Sequence, residues 1–565
     1  MLALTLNPGF VPIIVGLVVL AAPRGVRAFM MAGAALLALW LLLDSEFGAA
    51  AALGQMGLSV VPLDLDALNR IFGVAMLMAL IPLAIYSRAR RNRYEDAAIL
   101  VLAGGAVSAL FVGDIVSFVA AAALAGLAAA WTVFASLFEG ANRSGVRLLI
   151  WHGLEGLLFL VGAALYITAQ PRAQLTRMDV SMIGGACIFA ALMIRVGAPM
   201  AHVWFKDVVS HASSTGGAAL SCFTTTLGVY ALARLFPAEP LLVPIGAAMI
   251  VIGALYAAAD DDLRRAGAYA QTAHNGICVA LIGVGSPLAL AAAEGHAFAT
   301  LLAFAGLQMT LGGLVERTGG SARVSQLTGM PRIMPVTSYL VLIGGLAVSA
   351  TPGFVTYATQ AVALEATARW DLRALWALIA GLSGVLFVSL ALRPTLAIHR
   401  PAPRPGVRDE ARFTMLLGAA LTSFLCLLIG LAPRWLYDLT PAELAFQPFA
   451  ADRIAPQLEL LGVCGLAFMA LRFGAGVPSV QWAPLLDIDA LYRGPVTAAG
   501  RWAGVVMLRL YGAWHSVTAR TSKATAARVG TWASACDRPF VGAGVANVAQ
   551  FLSIGAVLLL ILLFI

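Results

Sequence analysis

Apolar stretches of about twenty residues follow one another along almost the whole chain. Hydrocarbon offers no partner to a backbone N–H or C=O, so such a chain is restricted to helices or a closed barrel. The stretches are continuous rather than alternating, which argues against a barrel. Only 11% of the 565 residues are charged and 61% are hydrophobic, with a mean hydropathy of +0.90. That is too little charged surface for a soluble domain of this length. The expected fold class is an all-α polytopic membrane protein of about 14 transmembrane helices. A soluble enzyme and a nucleic-acid binder are excluded. The formal net charge of +8 sits mostly on arginines between the stretches, where anionic lipid and topology account for it.

The stretches run over 5–23, 29–43, 47–62, 70–86, 97–111, 116–134, 148–168, 180–198, 213–235 and 240–258. They continue over 270–292, 296–314, 331–349, 352–368, 373–391, 412–432, 456–471 and 548–565. The weakest is 47–62, and short neighbours can be one bent helix. Residues 5–23 lack a basic leader and cleavage site and read as a first span. Arg24 and Arg27, then Arg88, Arg90, Arg91 and Arg93, then Arg143 and Arg147, then Arg264 and Arg265 mark four loops. If 47–62 does not cross, an even number of spans separates each loop from the next. All four then share one side, predicted cytoplasmic, in a bacterial-type cell inner membrane. Residues 400–413 form a Pro- and Arg-rich connector. An interfacial extension begins at 472; 499–535 reads as either an amphipathic helix on the membrane or a tether, and 548–565 as an anchoring span.

The six cysteines form no CxxC or CxxCH pattern, so no metal or other cofactor is expected. Lysine is confined to Lys206 and Lys523. The informative residues are the polar ones inside apolar stretches. Glu155 lies within "LIWHGLEGLLFLVGAALYI", 149–167, with His152 three positions earlier on the same helical face. A carboxylate in a span must be protonated, paired or beside a wet path. It reads as a proton or cation relay, a structural contact between helices, or a residue of a loop; His152 can be a simple hydrogen-bond partner. The segment 195–217, "RVGAPMAHVWFKDVVSHASSTGG", holds Arg195, His202, Lys206, Asp207 and His211. Helical spacing puts His202 with Lys206 and Asp207 with His211, while Pro199 and the Gly216-Gly217 pair break or bend the helices around them. Charges at a broken helix suit a transporter site; the plain alternative is a charged turn. His274 and His296 open the next two apolar stretches. Five of the seven histidines lie between 152 and 296 without metal-ligand spacing, which favours a proton path.

Taken in order, these segments resemble a known family: the proton-translocating membrane subunits shared by respiratory complex I, membrane-bound hydrogenases and Mrp-type cation/proton antiporters. The resemblance covers roughly 65–430. "WHGLEGLLFL" matches the helix carrying the family's key glutamate, at Glu155. "PMAHVWFKDVVSHASSTGG" resembles "P-x-H-x-W-L-P-D-A-H…P-T-P" and keeps His202, Trp204 and Asp207. "DDLRRAGAYAQTAHNGI" resembles "D-x-K-R-x-x-A-Y-S-S-x-S-H-x-G". "MPVTSYLVLIGGLAVSATPGF" is similar to the wording of the Mrp D-like subunit. The resemblance implies two inverted repeats of five helices, each with a broken helix, which would occupy 116–258 and 270–391. They would be flanked by N-terminal helices over 1–115, C-terminal helices over 392–471 and the extension over 472–565. It also implies a buried polar axis, here Glu155, His152, His202, Lys206, Asp207, His211, His274 and His296.

Three lysine or histidine positions of the family fall near Thr226, Thr300 and Thr356-Tyr357, and hydroxyls cannot carry a cationic charge. Lys206 and the histidines can stand in for them, or the chain conducts only in part. The function expected is the proton-conducting subunit of a multisubunit Mrp-like monovalent cation/proton antiporter. Its partners would be other membrane subunits, lipids, protons and sodium or another cation. The alternatives are the pumping subunit of an NADH-quinone oxidoreductase or membrane-bound hydrogenase, and a non-conducting scaffold. No catalytic chemistry is expected in the chain itself.

Overall fold

A computed structural model describes residues 6–473 except 50–52, 56–57, 91, 170–173, 321, 402–408 and 443, with a few isolated positions between 494 and 509. The chain divides into a unit ending at Trp482 and a second from Ala483 to Phe564. The extension, the 499–535 segment, most of the 400–413 connector and the 548–565 span therefore lie largely or wholly outside the described residues.

The first unit is a helical bundle. Its helices are α1 (Phe10–Val19), α2 (Arg24–Asp44), α3 (Ala67–Ser87), α4 (Arg93–Phe111), α5 (Ile115–Phe134), α6 (Ala141–Ala169) and α7 (Ile183–Val196). The chain continues with α8 (Val203–His211), α9 (Ser214–Leu235), α10 (Leu242–Ala259), α11 (Leu263–Val284), α12 (Pro287–Arg317), α13 (Pro335–Val348) and α14 (Val355–Arg369). Then come α15 (Arg373–Leu386), a π-helical stretch Phe387–Leu392, α16 (Arg393–Ile398), α17 (Phe413–Leu431), α18 (Arg434–Tyr437) and α19 (Ala451–Phe473). Among the described residues, eleven helices are long and apolar enough to cross a membrane, counting α15 to α16 as one. The shorter apolar helices α1, α7 and α13 bring the set to the number expected from sequence. The protein is a polytopic, nearly all-helical membrane protein.

Polar residues at the chain reversals start these helices. Asp66 and Asn69 make a reciprocal capping box on α3, each side chain accepting the other's backbone N–H at 2.9 Å. Asp114, Ser213, Asp262 and Ser286 cap α5, α9, α11 and α12, each side chain accepting a first-turn backbone N–H. Small residues let the helices approach closely. A Cβ on Gly246 of α10 would stand 2.5 Å from the Gly276 carbonyl, and one on Gly276 of α11 would stand 2.7 Å from the Gly246 carbonyl. Lipid tails are as apolar as the helix faces, so close packing of this kind holds membrane helices together.

One stretch departs from the sequence expectation. Residues 47–62 do not form a helix; they contribute two short antiparallel ladders, Gly48–Ala49 with Asp64–Leu65 and Leu53–Gln55 with Leu58–Val60. Gly54, Gly57 and Pro62 interrupt the apolar run, and it is too short for a span once they are discounted. With 47–62 removed, the four arginine loops come to one end of the bundle. Arg90 donates to the Ser136 carbonyl at 3.2 Å, Arg147 pairs with Asp207, and Arg264 donates to the Ser210 and Ala212 carbonyls. The opposite end is tied by the Arg234–Asp66 ion pair at 2.6 Å and by Met178 N–H to the Leu235 carbonyl at 2.8 Å.

Two helix breaks fall inside the bundle. The first, between α7 and α8, follows Gly197 in the left-handed region (φ 72°) and includes Pro199. The second, between α13 and α14, contains Ala350 (φ 49°), Pro352 and Gly353 (φ 102°). The helix carrying Gly216, Gly217 and Thr226, α9, is continuous from Ser214 to Leu235.

Candidate functional site: a buried polar axis

Glu155 lies at the middle of α6 and is fully buried. Its partner is Arg195 from the last turn of α7, whose Nε donates to Glu155 Oε1 and whose Nη2 donates to the Ala122 carbonyl of α5 at 3.1 Å. The second carboxylate oxygen, Oε2, makes no hydrogen bond and faces His152 Nδ1 at 3.7 Å. The His152 ring stands edge-on to Trp204, with centroids 5.1 Å apart, and the Trp204 indole donates to the Ile194 carbonyl at 2.8 Å. Neither His152 nitrogen has a hydrogen bond. Gly126 of α5 makes room for the ring, since a Cβ there would lie 2.6 Å from His152 Nδ1.

Arg195 was present in the sequence segment, but its role as the direct counter-ion of Glu155 was not legible there. The two residues are forty apart in sequence, and only the packing of α6 on α7 joins them. The glutamate thus has a cationic partner although Thr226, at the expected lysine position, has none to offer. An arginine stays charged in any protein setting. Its guanidinium holds Glu155 through Nε and the Ala122 carbonyl through Nη2 at the same time.

The 195–217 cluster separates into two groups, as its spacing implied. His202 and Lys206 both face Tyr269 of α11: the Lys206 Nζ lies 5.4 Å from the ring centroid and the His202 ring 6.1 Å from it. Tyr269 itself stacks on Tyr256 of α10 at 5.0 Å. Asp207 points instead toward the arginine-loop end. Both its oxygens accept from Arg147 Nη1, at 3.1 and 2.9 Å, and Oδ2 also accepts from Ser144 at 3.0 Å. His211 Nδ1 lies 3.5 Å from Asp207 Oδ1 and 2.8 Å from the Asp207 carbonyl. Asp207 thus clamps α8 to α6 while His211 turns back onto Asp207, and Arg147 is a partner that the sequence reading did not assign.

Across α11 and α12 the axis continues as a hydrogen-bonded chain. His274 Nε2 lies 2.9 Å from the Val348 carbonyl, His274 Nδ1 lies 2.9 Å from His296 Nε2, and His296 Nδ1 lies 3.0 Å from the Thr359 hydroxyl. The second helix break explains this arrangement. α13 ends at Val348, so that carbonyl is among the last-turn acceptors with no intrahelical donor. The freed carbonyl can only accept, so His274 carries its hydrogen on Nε2. A neutral His274 then accepts at Nδ1 from His296 Nε2–H, which leaves His296 Nδ1 open toward Thr359. Between the two clusters, Ser221 donates to Gln271 Oε1, and Gln271 Nε2 donates to the Ser221 carbonyl at 2.6 Å.

At the positions where the family carries cations, backbone carbonyls take the hydroxyls. Thr300 donates to the His296 carbonyl at 2.8 Å, Thr356 to the Ala347 carbonyl, and Tyr357 to the Pro448 carbonyl at 2.8 Å. Thr226 is buried within α9.

With this geometry in hand, the comparisons with known proteins are direct. Residues 71–388, more than half the chain, match the profile of the NADH:quinone oxidoreductase/Mrp antiporter transmembrane family. The chain belongs to this family. Among its members, NAD(P)H-quinone oxidoreductase chain 4 1 of Synechococcus elongatus is 27% identical over 245 residues, covering 40% of this chain and 46% of that protein. The fold is that of a chain in the Mrp complex of Dietzia sp. DQ12-45-1b, with a TM-score of 0.68 at 17% identity, covering 80% of this chain and 98% of the other. It is equally that of a chain in an archaeal membrane-bound sulfane sulfur reductase, with a TM-score of 0.69 at 19% identity and 99% of both chains covered.

Proposed function

We propose that the chain is the proton-conducting subunit of a multisubunit, Mrp-like monovalent cation/proton antiporter. One observation carries the reading: a fully buried Glu155 whose counter-ion, Arg195, is held independently by the Ala122 carbonyl, while the other carboxylate oxygen faces His152 without a hydrogen bond. In this reading Glu155 binds a proton when the Arg195 Nε bond opens, with Arg195 kept on the Ala122 carbonyl, and releases it when that bond re-forms. His202 and Lys206 set the potential between the halves, and the His274–His296 dyad carries the charge onward. Asp207 and His211 belong to the polar path at its arginine-loop end. Family membership and the resemblance of the 334–354 segment to the Mrp D-like subunit support the assignment.

A second reading has its own support. The sulfane sulfur reductase chain covers 99% of this chain, whereas the Mrp chain covers 80%. In that reading the same axis is the pumping arm of a redox-linked complex, and the electron carriers reside in partner subunits. Purification from native membranes in mild detergent, with mass spectrometry of the co-purifying chains, separates the two. Small membrane subunits without redox proteins are expected for an antiporter. Iron–sulfur or flavin subunits in constant ratio would overturn the antiporter assignment in favour of the redox-linked one.

A further inference from the structure

A second group of buried charges lies outside the axis, at the arginine-loop end. Glu95, in the first turn of α4, and Glu316, in the last turn of α12, are 221 residues apart in sequence and share one guanidinium. Arg90 Nε lies 3.4 Å from Glu95 Oε2, and Arg90 Nη1 lies 3.2 Å from Glu316 Oε1. Successive serines at the start of α9 complete the bridge: Ser213 donates to Glu95 Oε1 and Ser214 donates to Glu316 Oε1 at 2.6 Å. The two carboxylates differ in access. The Glu316 side chain is 19% exposed and that of Glu95 only 2%. Glu95 Oε2, buried, has no hydrogen bond at all.

The surrounding charges decide what such a site can take. Arg27 pairs with Asp96 at 3.2 Å beside Glu95, and Arg264 holds the carbonyls of Ala212 and Ser213 behind it. Tyr86 donates to the Met309 carbonyl at 2.7 Å on the α12 side. Two guanidinium groups, Arg27 and Arg90, thus serve three carboxylates, Asp96, Glu95 and Glu316, while Arg264 is spent on backbone carbonyls. Arg90 alone cannot neutralise both glutamates. A proton completes the set, because it neutralises one carboxylate while Arg90 stays with the other. The wet-to-dry step from Glu316 to Glu95, and the hydroxyls that join both to the first turn of α9, give the proton a direction.

We propose that Glu95 and Glu316, bridged by Arg90, form a proton-loading site at the arginine-loop end of the bundle, feeding the serine- and threonine-lined helix α9. The proposal deepens the transport reading and rests on it for its purpose. Its chemistry is testable without transport. The probe is a hydrophobic carbodiimide, which adds to protonated carboxyl groups, applied to the full chain in native membranes and followed by peptide mass spectrometry. An adduct at Glu95 that declines as the pH is raised is expected. Glu316→Gln leaves Arg90 wholly to Glu95 and should reduce labelling, whereas Arg90→Gln should raise it by about tenfold or more. A merely structural ion pair would give no Glu95 adduct in the wild-type protein, and that result, or equal labelling in the three proteins, would overturn the proposal. Failure of the transport reading would appear elsewhere, as unchanged proton flux in Glu155→Gln, and would leave the labelling pattern intact.

Discussion

The Glu155–Arg195 pair is a fully buried ion pair at the middle of α6. Truncating one partner of a buried pair leaves the other charge stranded, typically at about 3–5 kcal/mol. Arg195→Ala is therefore expected to lower the thermal midpoint of the detergent-solubilised protein and to abolish proton flux. Arg195→Lys restores the charge without the planar fork that reaches both Glu155 and the Ala122 carbonyl. It should recover stability and only part of the flux; full flux would show that the second contact is irrelevant. Gly126→Ala offers a complementary test, since it removes no titratable group. The added methyl would press on His152 Nδ1, so flux should fall while yield and oligomer profile hold, as read by size exclusion and a vesicle pH assay. Glu155 and His152 were legible from sequence because a carboxylate and an imidazole stand out in an apolar run. Arg195 was visible as a charge but not as a partner, and Gly126 was invisible. Contacts between helices distant in sequence leave no local periodicity to read.

At the scale of elements, the helix breaks matter more than the helices. Periodicity and apolar length located most of the long helices, with ends displaced by up to nine residues in α6, α11 and α12, and the failure at 47–62 came from glycines and a proline inside a weak run. What sequence could not give was the use made of each break. The break after Val348 leaves that carbonyl free, and it orients His274 and, through it, His296. Pro352→Ala supplies an N–H that competes for the Val348 carbonyl. Assembly should be normal and proton flux slower, and infrared or NMR signals of the imidazoles should report a changed His274 tautomer. Unchanged imidazole signals would separate the break from the dyad. The family's lysine positions teach the converse lesson: Thr300, Thr356 and Tyr357 look like lost function in sequence, yet each is bonded to a backbone carbonyl and serves the packing.

For the whole molecule, the arginine loops make a topological claim. A cysteine at Leu137, highly exposed in the loop between α5 and α6, should react with an impermeant maleimide from the cytoplasmic side only. A cysteine at Arg177, exposed in the loop before α7, should react from the opposite side only. Labelling of both from one side would contradict the shared-end arrangement. The central claim is that proton passage depends on a carboxylate at Glu155. Its most direct test is proton flux in proteoliposomes of the intact purified complex, wild type against Glu155→Gln, a change that keeps the side chain's shape and a hydrogen-bond acceptor for Arg195 but removes the exchangeable acid. The account predicts flux reduced to that of protein-free vesicles with the subunit composition unchanged; flux equal to wild type in an intact complex would contradict it.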